Sequence, residues 1–171
     1  GQPIPGQEAY WWMADAAEEV IPGTGLVEIG GGCGAYGGPL HRWSSVGERS
    51  LVPGARAQFR ADGPANGFAL AAFGGPAAGP IPLSSFGIAT PNCFCHLNPA
   101  AVLAVVPAIY VAEVHPLSSV SGIAEVLVQL PASPGWYGMQ LSTQWFDLSQ
   151  LTTSNAFSWT VGNAIPTLDM A

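Results

Sequence analysis

Glycine and proline recur through most of this sequence, and the longest stretches without either are 7–21 and 139–161. The 22 glycines and 16 prolines fall among 171 residues without a collagen period, and they punctuate short apolar runs. Both residues disfavour helix interiors and suit turns, bulges and strand ends. The chain is therefore predicted to be all-β, with many short strands. From residue 24 onward, strands are expected near 25–30, 40–46, 55–61, 67–73, 94–97, 101–106, 109–114, 123–130, 139–147 and 156–161. The clearest is 123–130, where Ala124, Val126, Val128 and Leu130 share one face and Glu125 and Gln129 mark the other. In 55–61, Ala57 and Phe59 alternate with Arg56, Gln58 and Arg60. In 156–161, Phe157, Trp159 and Val161 oppose Ser158 and Thr160. About ten such strands separated by turn signals form the pattern of a two-sheet β-sandwich, jelly-roll-like in type.

Residues 1–22 read differently. The segment 7–20 is rich in Ala, Glu and Met and is closed by Pro22-Gly23, a helix stop. Tyr10, Met13, Ala14, Ala17, Val20 and Ile21 fit a helical stripe, while Tyr10-Trp11-Trp12 equally suits a strand. The segment holds Glu8, Asp15, Glu18 and Glu19 and no base. The expected organisation is an N-terminal arm at 1–22, helical or extended, followed by a sandwich domain at 23–171. Tyr10, Trp11, Trp12 and Met13 are the expected contact residues of that arm.

Charge narrows the partners. The chain has no lysine, and only 9% of its residues are charged, against about 25% in an ordinary soluble domain. Four arginines stand against 11 carboxylates, for a net charge of -7. Phosphate binding needs clustered Lys and Arg, so no nucleic-acid partner is expected. Arg42, Arg49, Arg56 and Arg60 do fall in one window, but Arg56 and Arg60 share parity with Gln58 and read as a solvated strand face. No apolar run reaches the roughly 18–20 residues of a membrane span. With 49% hydrophobic residues and so few charges, the chain must bury much surface, pack against other chains or be coated.

Cysteine is the first place to look for chemistry. Cys33 closes Gly30-Gly31-Gly32, and Cys93 and Cys95 flank Phe94. One disulfide from Cys33 to either Cys93 or Cys95 is the simplest arrangement, with the third cysteine free or paired between chains. The enclosed loop of about 60 residues would contribute on the order of 4 kcal/mol in the chain-entropy picture. The rival is a zinc set of Cys33, Cys93, Cys95 and His96. Its spacing is poor, because paired zinc ligands favour about two to four intervening residues and Cys93 and Cys95 have only Phe94 between them.

Other signals of catalysis are missing. The glycine run 30–38 lacks the Gly-Lys-Ser/Thr ending of a phosphate loop and reads as a turn. His41, His96 and His115 are scattered, and there is no Gly-x-Ser-x-Gly elbow. Glu113, Glu125 and Asp147 read as lone solvated acids rather than a glycosidase pair. No enzyme activity, cofactor or metal is expected. Trp43, Trp136, Tyr137 and Trp145 could form a sugar-stacking platform, although the same side chains build cores and interfaces.

The motifs also carry a resemblance. In order they are Gly-Gly-Gly-Cys33, Gly38-Pro39-Leu40, Gly67-Phe-Ala-Leu-Ala-Ala-Phe-Gly74, Pro80-Ile-Pro-Leu83 and Pro91-Asn-Cys93. They continue with Val126-Leu-Val-Gln-Leu-Pro131, Gln144-Trp145, Ser154-Asn155-Ala156 and Val161-Gly162. Together they resemble the carboxy-terminal β-rich domain at the ends of many large secreted proteins of planctomycete-type bacteria. The resemblance implies export, a β-sandwich, a disulfide between the Gly-Cys and Pro-x-Cys motifs, and a strand with a Gln followed by a closing Ser-Asn turn. It implies no catalytic residues.

The expected function is a secreted, extracellular or cell-surface structural subunit. It would associate with copies of itself into a filament, tubule or layer by exchange of the arm. The alternative is a carbohydrate-binding or adhesion module with polysaccharide as partner.

Overall fold

A computed structural model describes residues 27–33, 41–45, 52–113 and 121–162. Among the described residues nine strands appear: β1 (Val27–Gly30), β2 (His41–Ser45), β3 (Arg56–Pro64), β4 (Phe68–Pro82), β5 (Phe94–Ile109), β6 (Val111–Glu113), β7 (Ser121–Gln129), β8 (Gln140–Asp147) and β9 (Thr152–Thr160). They form a five-stranded sheet in the order β1-β9-β8-β4-β5 and a four-stranded sheet in the order β2-β3-β7-β6. Every pairing is antiparallel. The protein is thus the all-β, two-sheet sandwich that its punctuation demands. Its antiparallel hairpins β4–β5, β6–β7 and β8–β9 alternate between the two sheets. The arm residues Tyr10, Trp11, Trp12 and Met13 lie outside the described residues.

The core follows from strand alternation. On β3, Ala57, Phe59 and Ala61 point inward, while Arg56 is exposed and Gln58 and Arg60 are half-buried. Across the interior, Ala69, Ala71 and Phe73 of β4 face them. The Phe59 ring meets Phe73 edge-on at 4.8 Å and Trp159 at 5.5 Å, which ties the two sheets together. The small alanines of β3, β4 and β7 leave room for Trp145 and Trp159, so large and small side chains interdigitate. On the outer face of β3, Gln58 donates to Glu125 at 2.9 Å and Arg60 lies 3.9 Å from the same carboxylate. This is the solvated polar face expected for these residues.

Three strands expected at 94–97, 101–106 and 109–114 are arranged differently. The first two are one strand, β5, which runs 16 residues through Pro99 and Pro107. Proline is tolerated there because β5 is an edge strand and one side of it needs no partner. The third divides at Tyr110, where the chain leaves the five-stranded sheet and enters the four-stranded one as β6. Likewise 67–73 does not end at Gly74 but continues to Pro82. The β4–β5 register slips at Phe73/Gly74, Gly74/Pro76 and Pro76/Ile81, and such bulges bend a strand and turn its faces. The bend needs Gly74: a Cβ there would lie 2.5 Å from the Ala101 carbonyl oxygen and 3.0 Å from the Val102 Cα. Finally, Ser154 and Asn155 sit within β9 rather than in a closing turn.

Candidate functional site

Both faces of the five-stranded sheet are covered, and the outer covering is unusual. Beyond Gly74, the β4–β5 hairpin folds back across that face, as its contacts with β8 and β9 demonstrate. Gln144, fully buried on β8, donates through Nε2 to the carbonyls of Phe94 at 2.9 Å and Ser154 at 3.0 Å, and its Oε1 accepts the His96 N–H at 2.9 Å. Thr153 of β9 adds a hydroxyl bond to the Phe94 carbonyl at 3.2 Å. A β9 bulge opposite Trp145 supports this seam: Ser154 Oγ accepts the Trp145 N–H at 2.9 Å.

A disulfide joins Cys33 to Cys93, with Cα atoms 5.1 Å apart. It decides between the two pairings that the sequence leaves open, in favour of the one that the resemblance implies. The segment after β1 is thereby fastened to the folded-over hairpin, and Cys33 N–H also donates to the Thr153 carbonyl at 2.9 Å. Two thiolates of the rival zinc set are consumed by this bond. Among the described residues, no group of three or more His, Cys, Asp or Glu could hold a metal. Cys95 is a free, buried thiol whose Sγ donates to the Leu97 carbonyl at 3.4 Å, and burial pushes its pKa up. It is a poor nucleophile in place. His96 lies with its ring against Gly30, and burial pushes its pKa down.

Between the hairpin and the sheet lies an apolar groove of about 250 Å³. Leu70 and Ala72 of β4 and Phe146 of β8 form its floor. Leu83, Phe86 and Ile88, from the 3-10 turn Leu83–Phe86 and the loop after it, form one wall. Cys95, Leu97, Pro99, Val102 and Val105 of β5 form the other. No lining residue is charged or offers a side-chain oxygen or nitrogen. The bulge at Leu103, where Phe73 pairs with Ala104 but Gly74 pairs with Val102, turns Val102 onto the same outer face as Val105. A second hollow of about 380 Å³ lies by His96, Gln140 and Ser158, and there Gln140 donates to Ser158 at 3.3 Å.

The groove borders an open edge. Among the described residues no strand pairs with the outer side of β5. Between Pro99 and Pro107 its sequence is Ala-Ala-Val-Leu-Ala-Val-Val, and Val102, Leu103 and Val105 are 42%, 54% and 51% exposed. The run 101–106 is legible in the sequence as a strand, but its place at an open edge is not. A continuous apolar run without polar alternation was the available signal, because an edge strand with one wet face ordinarily alternates.

The proposed sugar platform loses Trp145. Trp145 is fully buried in the sandwich core, where it packs opposite Ala71, so it cannot stack on a glycan. Trp136 is half-buried against the same core, whereas Tyr137 is exposed. The backbone of Trp43 on β2 pairs with Phe59 on β3, and the Trp43 side chain lies outside the described residues. The parity of β8 explains the error: Trp145 faces inward with Leu141 and Thr143, and the outward Gln144 is what the hairpin covers.

Comparison with protein-family models, with curated proteins and with solved structures found no match to this chain. Among the described residues, no helix is long and apolar enough to cross a membrane.

Proposed function

We propose that this protein is an exported structural subunit that associates with copies of itself into an extracellular polymer or surface layer. The observation that supports this reading is β5. It is the longest strand of the sandwich, 16 residues, it lies at a sheet edge, and it carries no charged side chain. Proteins that stay monomeric blunt such edges with Lys, inward charges or covering loops. Here two prolines frame the edge, and among the described residues no strand occupies the side of 100–106 that could accept one by main-chain hydrogen bonding. The aromatic segment 10–13 is the donor best suited to it by composition, since Tyr and Trp favour strands and dominate interfaces. A contact in which a donor segment meets an acceptor elsewhere on the next copy is heterologous, and it propagates unless its rotation closes a ring. The Cys33–Cys93 bond fits an oxidising compartment.

The test is sedimentation velocity on the full chain and on a Trp11→Ser, Trp12→Ser double variant. Association of the parent chain that the double variant loses supports the reading. Equal association of both removes the arm from it.

A further inference from the structure

We propose that Cys33 exchanges its disulfide partner from Cys93 to Cys95, and that the β5 limb of the folded-over hairpin slips by two residues when it does. The resting bond is Cys33–Cys93, and Cys95 is the free thiol. All three sulfurs sit in one buried apolar cluster with Ala72, Leu83 and Leu97. Burial alternates along the limb: Cys93, Cys95 and Leu97 are buried, while Phe94 and His96 are half-buried. Cys93 and Cys95 therefore share a face, and one pleat repeat of about 7 Å separates them.

A slip of two is the step that this alternation permits. A slip of one turns every side chain to the opposite face, whereas a slip of two restores the pattern. Cys95, Leu97 and Pro99 then stand where Cys93, Cys95 and Leu97 stood. Leu97 is larger than the thiol it replaces, and the apolar groove beside Cys95 supplies the room. The Gln144 amide, bonded at rest to the Phe94 carbonyl and the His96 N–H, meets the His96 carbonyl and the Asn98 N–H instead.

The strand holds the slack for this. Gly74 pairs with Val102 and Pro76 with Leu97, so five steps of β5 stand opposite two of β4. Two steps can be drawn out of residues 98–101 while the pairing from Val102 to Ile109 stays in place. The loop between Phe86 and Cys93 takes up the same length at the other end. Only one exposed bond, from the Ala100 N–H to Asn98 Oδ1 at 3.0 Å, spans the part that straightens.

The chemistry balances within the chain. The Cys95 thiolate attacks the Cys33 Sγ, the new S–S bond forms as the Cys33–Cys93 bond breaks, and the electron pair leaves on the Cys93 Sγ. The proton that Cys95 gave to solvent returns to Cys93, and no oxidant or reductant is consumed. Burial disfavours the Cys95 thiolate, so exchange is slow at neutral pH and quickens as pH rises. With Leu97 in the place of Cys95 the groove narrows, which makes its width answer to thiol chemistry.

The folded parent chain is held at pH 7, 8 and 9, quenched with acid, alkylated with N-ethylmaleimide in urea and mapped by mass spectrometry. Cys33–Cys95 with alkylated Cys93 should accumulate roughly tenfold faster per pH unit, as the thiolate fraction does, at a rate independent of protein concentration. Recovery of Cys33–Cys93 alone at every pH overturns the exchange. Cys93→Ser isolates the second state: air oxidation should close Cys33–Cys95 in a monomer, and hydrogen exchange should find the Asn98 amide about tenfold or more slower than in the parent. Two thiols that stay free, bridges only between chains, or a closed bond with the Asn98 amide exchanging as in the parent overturns the slip. Circular dichroism checks the fold of the variant, and the time course of the parent remains the test if Cys93→Ser does not fold.

Discussion

The side-chain amide of Gln144 donates to the backbone carbonyl of Phe94 across 2.9 Å, although β8 and β5 are not neighbours in the sheet. This bond exists only because the β4–β5 hairpin folds over the outer face. Gln144→Leu roughly keeps the side-chain volume but removes the side-chain partner of the Ser154 carbonyl and the His96 N–H, and leaves the Phe94 carbonyl with the Thr153 hydroxyl. Each buried group left unmet costs about 1–3 kcal/mol. We expect a loss of about 3 kcal/mol in urea unfolding, with proteolytic nicking appearing in residues 76–97. A loss below about 1 kcal/mol would mean that this seam does not hold the hairpin.

The cysteines give a count. Unfolded without reductant, the chain should expose one reactive thiol, Cys95, and peptide mapping should recover Cys33 linked to Cys93. In the folded state the Cys95 thiol should react slowly, because burial raises its pKa and disfavours the thiolate. Reduction, or Cys33→Ser with Cys93→Ser, should lower stability by roughly 4 kcal/mol, for a closed loop of about 60 residues. A thiol that reacts fast before unfolding would contradict the burial of Cys95.

Tyr110 marks the crossing between sheets, and its neighbours have no slack. A Cβ on Gly122 would lie 2.7 Å from the Tyr110 Cβ and 2.8 Å from the Ala65 Cα. Gly122→Ala should therefore cost about 1–3 kcal/mol through overpacking. Tyr110→Phe should do the opposite or nothing. Its hydroxyl is buried with no hydrogen-bond partner among the described residues, so removing it relieves a desolvation cost. Burial first, then the charges of Asp147 and Asp62, raise the Tyr110 pKa well above its ordinary value of 10.0. A pKa raised on folding gives stability that is complete below the unfolded value and is lost as pH climbs toward the folded one. The parent should lose stability above about pH 10, and Tyr110→Phe should lose less. Denaturation midpoints at pH 8 and 10.5 decide the matter.

His96 carries the acid side of the profile. Burial lowers its pKa from 6.5, so protonation favours the unfolded chain. Stability is then complete above about pH 6.5 and declines as pH falls from there through the folded value. His96→Gln should flatten that part of the melting-temperature profile between pH 7 and pH 5. An unchanged slope would place the acid sensitivity elsewhere.

Much of the sandwich was legible because its signals are local. Alternation in 123–130 and in 55–61 fixes which side chains face the core, and the structure buries Ala124, Val126, Ala57 and Phe59 accordingly. What the sequence did not reveal depends on contacts between distant segments. Ser158 reads as solvent-facing by alternation, yet it is buried because the five-stranded sheet has a second covered face. Nothing near Ser158 announces that covering; it comes from a hairpin bent at Gly74 more than 80 positions earlier in the chain. The same holds for Gln144, which the hairpin covers, whereas Trp145 is buried because the parity of β8 turns it into the core between the sheets. The disulfide was half legible: spacing offered two partners for Cys33, and only the placement of β5 over β9 chooses Cys93.

The most direct measurement is negative-stain electron microscopy of the native chain at rising concentration, with sedimentation velocity on the same samples. We expect ordered polymers or sheets that grow with concentration, built from 17.6 kDa subunits. A single monomeric species at every concentration, folded and with β5 uncovered, would contradict self-assembly as the function of this protein.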